Sequence, residues 1–453
     1  MPWRHTQASH QTSTLPILPQ ALKKANTPYT SSPATGLHSR IPSRAASSTG
    51  VNFSASQRYF RSRRVKKEEI QKPWLDKKDH GGKWNNAIVL IGLFLGIALF
   101  GFLIYDGIRG VITHKYCPVL IEDFTSWNDQ VWTKEVEVGG FGNGQFEETT
   151  NTDENVYLDN GVLVIRPSLQ DQNLIENNNT IDLRDMGCTG TKWTECVATT
   201  NTTNGTIVNP AKSGRVNTKL GASIRFGRVE VTAQLPAGDW LWPAIWMLPT
   251  DNKYGEWPKS GEIDIAESRG NNWTYGQGGN NVVSSTLHFG PSKDNDGWWR
   301  NNVKHQTQHG TYSDDFNTFG VEWSERYVFT YINSRLMQVM YTHFNQPFWQ
   351  YGKFPLSDSN GTRILDPWSY TGNDATPFDQ DFYLILNVAV GGENGWFKDG
   401  KSGKPWVDGS PTARRDFWKA RNSWYPTWSK QGFMKVKSVK MWQQEGYNGC
   451  NPQ

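Results

Sequence analysis

Three carboxylates stand close together in the stretch GEIDIAESRG, at Glu262, Asp264 and Glu267. The first step, of two residues, suits a β-strand, in which alternate side chains share a face. The second step, of three, would turn Glu267 to the other face of a regular strand. A β-bulge near Ala266 absorbs the extra residue and returns Glu267 to the side of Glu262 and Asp264, while Ile263 and Ile265 anchor the opposite face. At ~3.3 Å per residue the outer two Cα atoms then lie roughly 13 Å apart. Two glutamates leaning inward can bring their carboxyl groups to ~5–5.5 Å, the separation used in glycoside cleavage with retention. Three like charges on one face repel, so at least one should hold a proton at neutral pH. A protonated glutamate beside an ionised one is the division between acid and nucleophile that such cleavage needs. Acids at this spacing also serve as solvated groups or metal ligands.

The elements that must position this row read as β. GVLVIRPS, FGRVEVTAQLP, VSSTLHFG, NTFGVEWSERYVFTYINS, FYLILNVAV and FMKVKSVKMW are short apolar or alternating runs bounded by Gly, Asn and Asp. No long stretch shows helical periodicity, and no repeat of fixed period is present. An antiparallel sandwich over residues 117–450 accommodates all of them. The polar stretch from Gln170 to Ser213 reads as a surface insertion without a core of its own. The chain has 22 tryptophans, a composition suited both to a large aromatic core and to stacking on sugar rings.

Upstream lies a different kind of sequence. AIVLIGLFLGIALFGFLIY, Ala87 to Tyr105, carries no charge and approaches the ~20 residues that cross a bilayer. The expected division is a basic Ser/Thr/Pro-rich tail at 1–85, disordered by composition, and a transmembrane helix at 86–106. Residues 1–67 contain eleven Lys or Arg and no acid. The remainder is mildly acidic, which argues against nucleic acid as a partner. Ten Lys or Arg lie between Arg58 and Lys83 but only Arg109 and Lys115 between Asp106 and Leu120. The positive-inside rule therefore leaves the tail in the cytosol and residues 106–453 in the lumen or outside, a type II arrangement. An acid-free start containing Arg and Ser also fits a mitochondrial address. Against that, Cys117, Cys188, Cys196 and Cys450 all follow the apolar segment. So do the glycosylation sequons at Asn178, Asn201, Asn204, Asn272 and Asn360, with only Asn52 before it. An even number of luminal cysteines points to disulfides. The expected pairs are Cys188–Cys196, closing a short loop, and Cys117–Cys450, joining the ends of the domain.

GDWLWPAIWMLPTDNKYGEWPKSGEIDIAESRGN resembles the catalytic core of glycoside hydrolase family 16, in its laminarinase-like branch of endo-β-1,3-glucanases and β-1,3-glucan recognition proteins. The likeness extends through FGRVEVTAQLP, FGVEWSERYVFTYINS and FYLILNVAVGG. It implies a concanavalin A-like β-jelly-roll of two antiparallel sheets. It also implies that Glu262 is the nucleophile, Glu267 the general acid and then base, and Asp264 the residue that holds the nucleophile. Around them it places Asn143, Arg228, Trp240, Trp242, Trp246, His288 and Asn387 as substrate-binding candidates, with Trp242 favoured as a platform and Trp246 as core. GFGNGQFEETT departs from the family's G-W-G-N-x-E-x-Q-Y at Phe141, Gln145 and Glu147, which bears on the far subsites and not on the chemistry. No cofactor is implied for catalysis. Many members hold a structural calcium, but no ligand set for one stands out, and no metal ligand is assigned.

The leading expectation is a membrane-anchored retaining endo-glycosidase acting on β-1,3 or mixed β-1,3/1,4 glucan in cell-wall turnover. Its partners would be the polysaccharide and, through residues 87–105, a lipid bilayer. A transglycosylase using the same intermediate and a non-catalytic glucan receptor are the alternatives. A galactan hydrolase is the remotest reading.

Overall fold

The computed structural model describes residues 63–76, 80–110 and 113–451. Most of the basic tail, with the sequon at Asn52, lies outside the described residues. The chain divides into two units at Ala98/Leu99. Before that boundary come a short turn, Lys67–Glu69, a helical turn, Pro73–Asp76, and the first part of helix His80–Gly110. This helix is long and apolar enough to cross a membrane over Gly81–Arg109, and none of its described side chains is buried. Its apolar residues point in all directions, as they do in helices surrounded by a uniformly apolar medium.

The second unit is a jelly-roll sandwich. Two antiparallel sheets of eight strands each pack face to face, with three- and two-stranded ribbons beside them. In one sheet, Gly227–Gln234 alternates buried and half-buried residues along its length. It sends Val229, Val231 and Ala233 into the core while Arg228, Glu230 and Thr232 face outward. In the other sheet, Leu241–Pro249, Glu262–Ser268, Val282–His288 and Phe382–Val390 run side by side. All nine residues of Phe382–Val390 are buried, so this strand has lost the alternation expected of one facing water.

Between the sheets lies one large apolar cluster, in which Trp323, Trp406 and Trp424 are fully buried. Residues 170–213 differ from the sequence expectation. Ile175, Ile181, Leu183, Ile207 and Val208 pack with Val136, Val138 and Trp418 into a small separate cluster. The apolar residues of this stretch are too widely spaced to show a period, yet they converge on the outside of the sandwich. Both expected disulfides are present, Cys117–Cys450 and Cys188–Cys196, each with Cα atoms 5.7 Å apart. The five downstream sequon asparagines are all exposed.

Candidate active site

The strand Glu262–Ser268 is irregular where its acids lose step. Asp264 pairs with Thr286 and Glu267 with Ser284 on the neighbouring strand, so two intervening residues on one side oppose one on the other. On the opposite flank Trp246 pairs with Asp264 and Ala244 with Glu267. This bulge falls at Ile265–Ala266, whose side chains are buried in the core with Ile263. The three carboxylates are left together on the outer face of the sheet. An unbulged strand would have put Glu267 among the aliphatic residues.

Asp264 is 1% exposed, Glu267 9%, and Glu262 is half-buried. Glu262, Asp264 and His288 each bring a polar atom within 4.8 Å of the others. His288 lies opposite Glu262 in register, with Nε2 3.2 Å from Asp264 Oδ2 and Nδ1 2.5 Å from Asp296 Oδ2. Trp257 Nε1 donates to Glu262 Oε2 at 2.6 Å, and Trp242 Nε1 donates to Glu267 Oε1 at 2.9 Å. Each glutamate therefore receives its own indole N–H.

The electrostatics follow from burial and crowding. Burial and then the charge of Asp264 push the Glu262 carboxyl up, while His288 and the Trp257 hydrogen bond pull it down. Asp264 is also pushed up, by burial and the charge of Glu267, against the pull of His288. The interaction between Glu262 and Asp264 raises the first and lowers the second, so the pair titrates together with its proton resting on Glu262 and Asp264 as the acceptor. Glu262 becomes an ionised nucleophile once that proton has left it. Burial raises Glu267 to about 7, with His288 and Trp242 opposing. Burial alone would lower His288, but Glu262, Asp264 and Asp296 hold it well above its ordinary value as an imidazolium. The row thus contains one cation, a carboxyl pair sharing a proton, and an acid poised near pH 7. It can supply a nucleophile and a proton to opposite ends of one bond.

The other candidates divide. Asn387 lies in the same cross-strand row as Ala244 and Glu267 and accepts from Trp246 Nε1 at 2.8 Å. Asn143 sits on a loop at the end of the sheet, where its Oδ1 accepts from Asn394 Nδ2 at 3.2 Å. Trp242 and Trp246 share the outer face, but their expected parts need correcting. Trp242 is 7% exposed and has one face stacked on Trp396 at 4.7 Å and 14°, so little of its ring is open to a sugar. Trp246 is the half-buried ring, with Arg215 4.8 Å from its centroid. Trp240 is not at the site. Its backbone is left-handed, with φ 66°, and this turns the ring into edge contacts with Tyr275, Phe397 and Trp406. Arg228 is not at the site either. It lies on the outer face of the other sheet, 4.5 Å from the Trp442 ring. Of the departures, Gln145 and Glu147 are buried; Glu147 accepts from the Val390 N–H at 2.8 Å.

Several residues were passed over in the sequence. Trp257 stands in the quoted core stretch, five residues before Glu262. Arg215 is paired with Glu135 at 2.8 Å and lies 4.0 Å from the Phe141 ring. It shares a register row with Asn387, a neighbour 172 residues away that no local pattern reveals. Asp296 and Trp396 likewise arrive from loops. Among the described residues, the one cluster of three or more His, Cys, Asp or Glu within reach of a metal is Glu262, Asp264 and His288. An imidazolium beside a carboxyl pair that shares a proton does not match the all-oxygen, ionised set that calcium takes.

Comparison with known proteins settles the family. The pattern of Glycosyl hydrolases family 16 matches residues 175–362. A beta-1,3-glucan-binding protein of Penaeus monodon is 37% identical over 345 residues, 73% of this chain and 91% of that protein. The chain belongs to glycosyl hydrolase family 16. A glucan endo-1,3-beta-glucosidase A1 of Niallia circulans is 30% identical over 281 residues, 60% of this chain but 32% of that longer protein. Among solved structures, the laminarinase catalytic domain from Thermotoga maritima aligns with a TM-score of 0.46 at 22% identity, covering 73% of this chain and all of that one.

Proposed function

We propose that this family 16 protein is a retaining endo-glycosidase of β-1,3 or mixed β-1,3/1,4 glucan, anchored to a membrane through residues 87–105. Its domains would be a cytosolic tail at 1–85, a span at 86–106 and a catalytic unit at 117–450. The observation that carries the reading is the bulged strand, which puts Glu262, Asp264 and Glu267 on one face with an indole N–H on each glutamate. In the first step, Glu262 attacks the anomeric carbon as Glu267 gives its proton to the departing oxygen. The negative charge of Glu262 is consumed in the new ester bond and reappears on Glu267, while Asp264 beside Glu262 holds it in place. In the second step, Glu267 takes a proton from water, and that water displaces Glu262 with a second inversion. An acceptor sugar in place of the water would make the protein a transglycosylase.

The glucan-binding relative at 37% identity favours a second reading, that of a receptor which holds glucan without cutting it. The full acid row weighs against it. The test is release of reducing ends from laminarin by the full chain in detergent, compared with Glu262→Gln. Activity lost in the variant supports the hydrolase. No activity in either, with glucan still bound, would establish the receptor, and equal activity would remove Glu262 as nucleophile. Products longer than the starting chain would indicate transfer.

A further inference from the structure

Trp242 and Arg269 both bear on Glu267, and one loop holds both. Trp242 donates to Glu267 Oε1 at 2.9 Å and stacks on Trp396. Arg269, two residues after Glu267, is 6% exposed, with its guanidinium 3.9 Å from the centre of the Trp396 ring. Its Nε and Nη2 donate to the Trp396 carbonyl at 3.0 and 2.7 Å. Trp396 therefore fixes one partner of the acid with its ring and the other with its carbonyl.

The loop that carries Trp396 needs support of its own. Residues 391–412 form neither strand nor helix, and six of them are glycine. Such a segment keeps one shape only where other groups supply what a backbone ladder would. Here that group is Lys404, whose side chain is 0% exposed. Its ammonium donates to the Phe397 carbonyl at 2.8 Å, to Asp399 at 2.5 Å and to Asp408. It also lies 4.6 Å from the centre of the Trp406 ring, which is buried in the main core. A buried ammonium is costly unless it is paired, and all three of its donors are used. The other oxygen of Asp408 accepts from Gly395 N at 3.0 Å. The residues on either side of Trp396 are thus tied to one group, Phe397 to the ammonium and Gly395 to the carboxylate that the ammonium holds.

We propose that Lys404 is a positioning residue for the general acid, holding Trp396 where its ring orients Trp242 and its carbonyl orients Arg269. Lys404 touches no reacting atom. Its role rests on the hydrolase reading above, in which Glu267 gives the proton. Trp242 and Arg269 both favour the carboxylate of Glu267, so a loosened loop acts in one direction and Glu267 keeps its proton to higher pH. The other charged groups facing Glu267 are Glu262 and Asp264 on its own strand and His288 on the next. Tyr275 and Lys304 face Arg269. All of these are retained in the variants that follow.

The experiment compares the full chain in detergent with Lys404→Met, which keeps the length of the side chain and removes the cation. Asp399→Asn is the milder variant, should Lys404→Met fail to fold. It removes a carboxylate that is 42% exposed and leaves Asp408 and Phe397 on the ammonium. One readout is kcat/KM for laminarin between pH 4 and 10. The other is titration of the Glu267 carboxyl by NMR of carbon-labelled glutamate, its signal assigned by loss in Glu267→Gln. Lys404→Met should move the alkaline limb and the titration up by about 0.5–1 pH unit, part of what a full hydrogen bond to the carboxylate would give. Asp399→Asn should move both the same way by less. A lysine that served stability alone would lower the melting temperature and leave limb and titration in place. That result, in Lys404→Met or in Asp399→Asn where only the latter folds, overturns the assignment. If the wild type releases no reducing ends from laminarin, the hydrolase reading fails, and the NMR titration still decides whether Lys404 acts on Glu267.

Discussion

Replacing Trp242 with Phe should move the alkaline limb of the pH–rate profile upward. The wild-type limb is expected near pH 7, because Glu267 must hold a proton to act as acid and burial raises its carboxyl to about 7. The Trp242 indole donates to Glu267 Oε1 at 2.9 Å, a bond that favours the carboxylate. A hydrogen bond to a charged group is worth about 1.5–3 kcal/mol, and about 1.36 kcal/mol corresponds to one pH unit. Glu267 is 9% exposed, so solvent screens little of this. Loss of the indole N–H should shift the limb up by ~1–2 units. Phenylalanine keeps a ring against Trp396, which limits the disturbance to packing. The other groups facing Glu267 are Asp264, Glu262, His288 and Arg269, and all remain. The assay is kcat/KM for laminarin between pH 4 and 10 in both proteins. A limb that stays in place while KM rises would mean that Trp242 binds sugar and does not tune the acid. That result would refute the reasoning.

The same carboxyl makes a prediction about stability. A group whose pKa rises on folding contributes stability that is complete below its unfolded value, 4.5, and is lost as pH rises through its folded value, about 7. Between pH 5 and 8 the wild-type melting temperature should therefore fall further than that of Glu267→Gln, as scanning calorimetry would show; parallel curves would contradict it. Glu262→Gln should lower laminarin hydrolysis by at least ~10³-fold with little loss of binding, read by initial rates and by isothermal titration. Cys117–Cys450 closes the domain over a separation of 333 residues. Replacing both cysteines with Ser should cost roughly 2–5 kcal/mol in denaturant unfolding, and a cost near zero would show that the adjoining strand pairing suffices. For the membrane reading, the full chain should resist carbonate extraction and shift on removal of N-glycans, whereas release into the supernatant would oppose an anchor.

The acid row was legible because its signal is local. A step of two followed by a step of three, flanked by Ile263 and Ile265, leaves a bulge as the one way to keep three charges out of the core. The disulfide partners were legible for a similar reason, since four cysteines fell into one close pair and two domain ends. Arg228 came to the site through the family resemblance, and FGRVEVTAQLP by itself does not say which of the two sheets its strand joins. Trp240 was likewise carried over with the family's tryptophan-rich stretch, and its left-handed backbone, which turns the ring away, has no signal in the residue type. Trp396, Arg215 and Asp296 carry no local pattern. Trp396 stacks on a tryptophan 154 positions earlier in the chain, and only the closed sandwich makes them neighbours.

The bulge and the shared proton are best understood as parts of one arrangement. Without the extra residue Glu267 would be separated from Glu262 by the sheet itself, and Asp264 would have only His288 and Glu262 to answer to. With it, a third carboxyl adds its charge to Asp264 and makes a proton on the Glu262–Asp264 pair favourable. That proton rests on Glu262 with Asp264 as its acceptor, and its departure frees the nucleophile. The imidazolium of His288 limits the effect, because it keeps the pair from taking up a second proton and silencing the nucleophile. His288 is itself held by Asp296, on the loop that follows its strand. Neutralising Asp296 should therefore disturb the protonation of acids it does not touch, and Asp296→Asn should move the acidic limb of kcat/KM upward by making the imidazolium less stable. An acidic limb unchanged in that variant would show that His288 is held by packing alone.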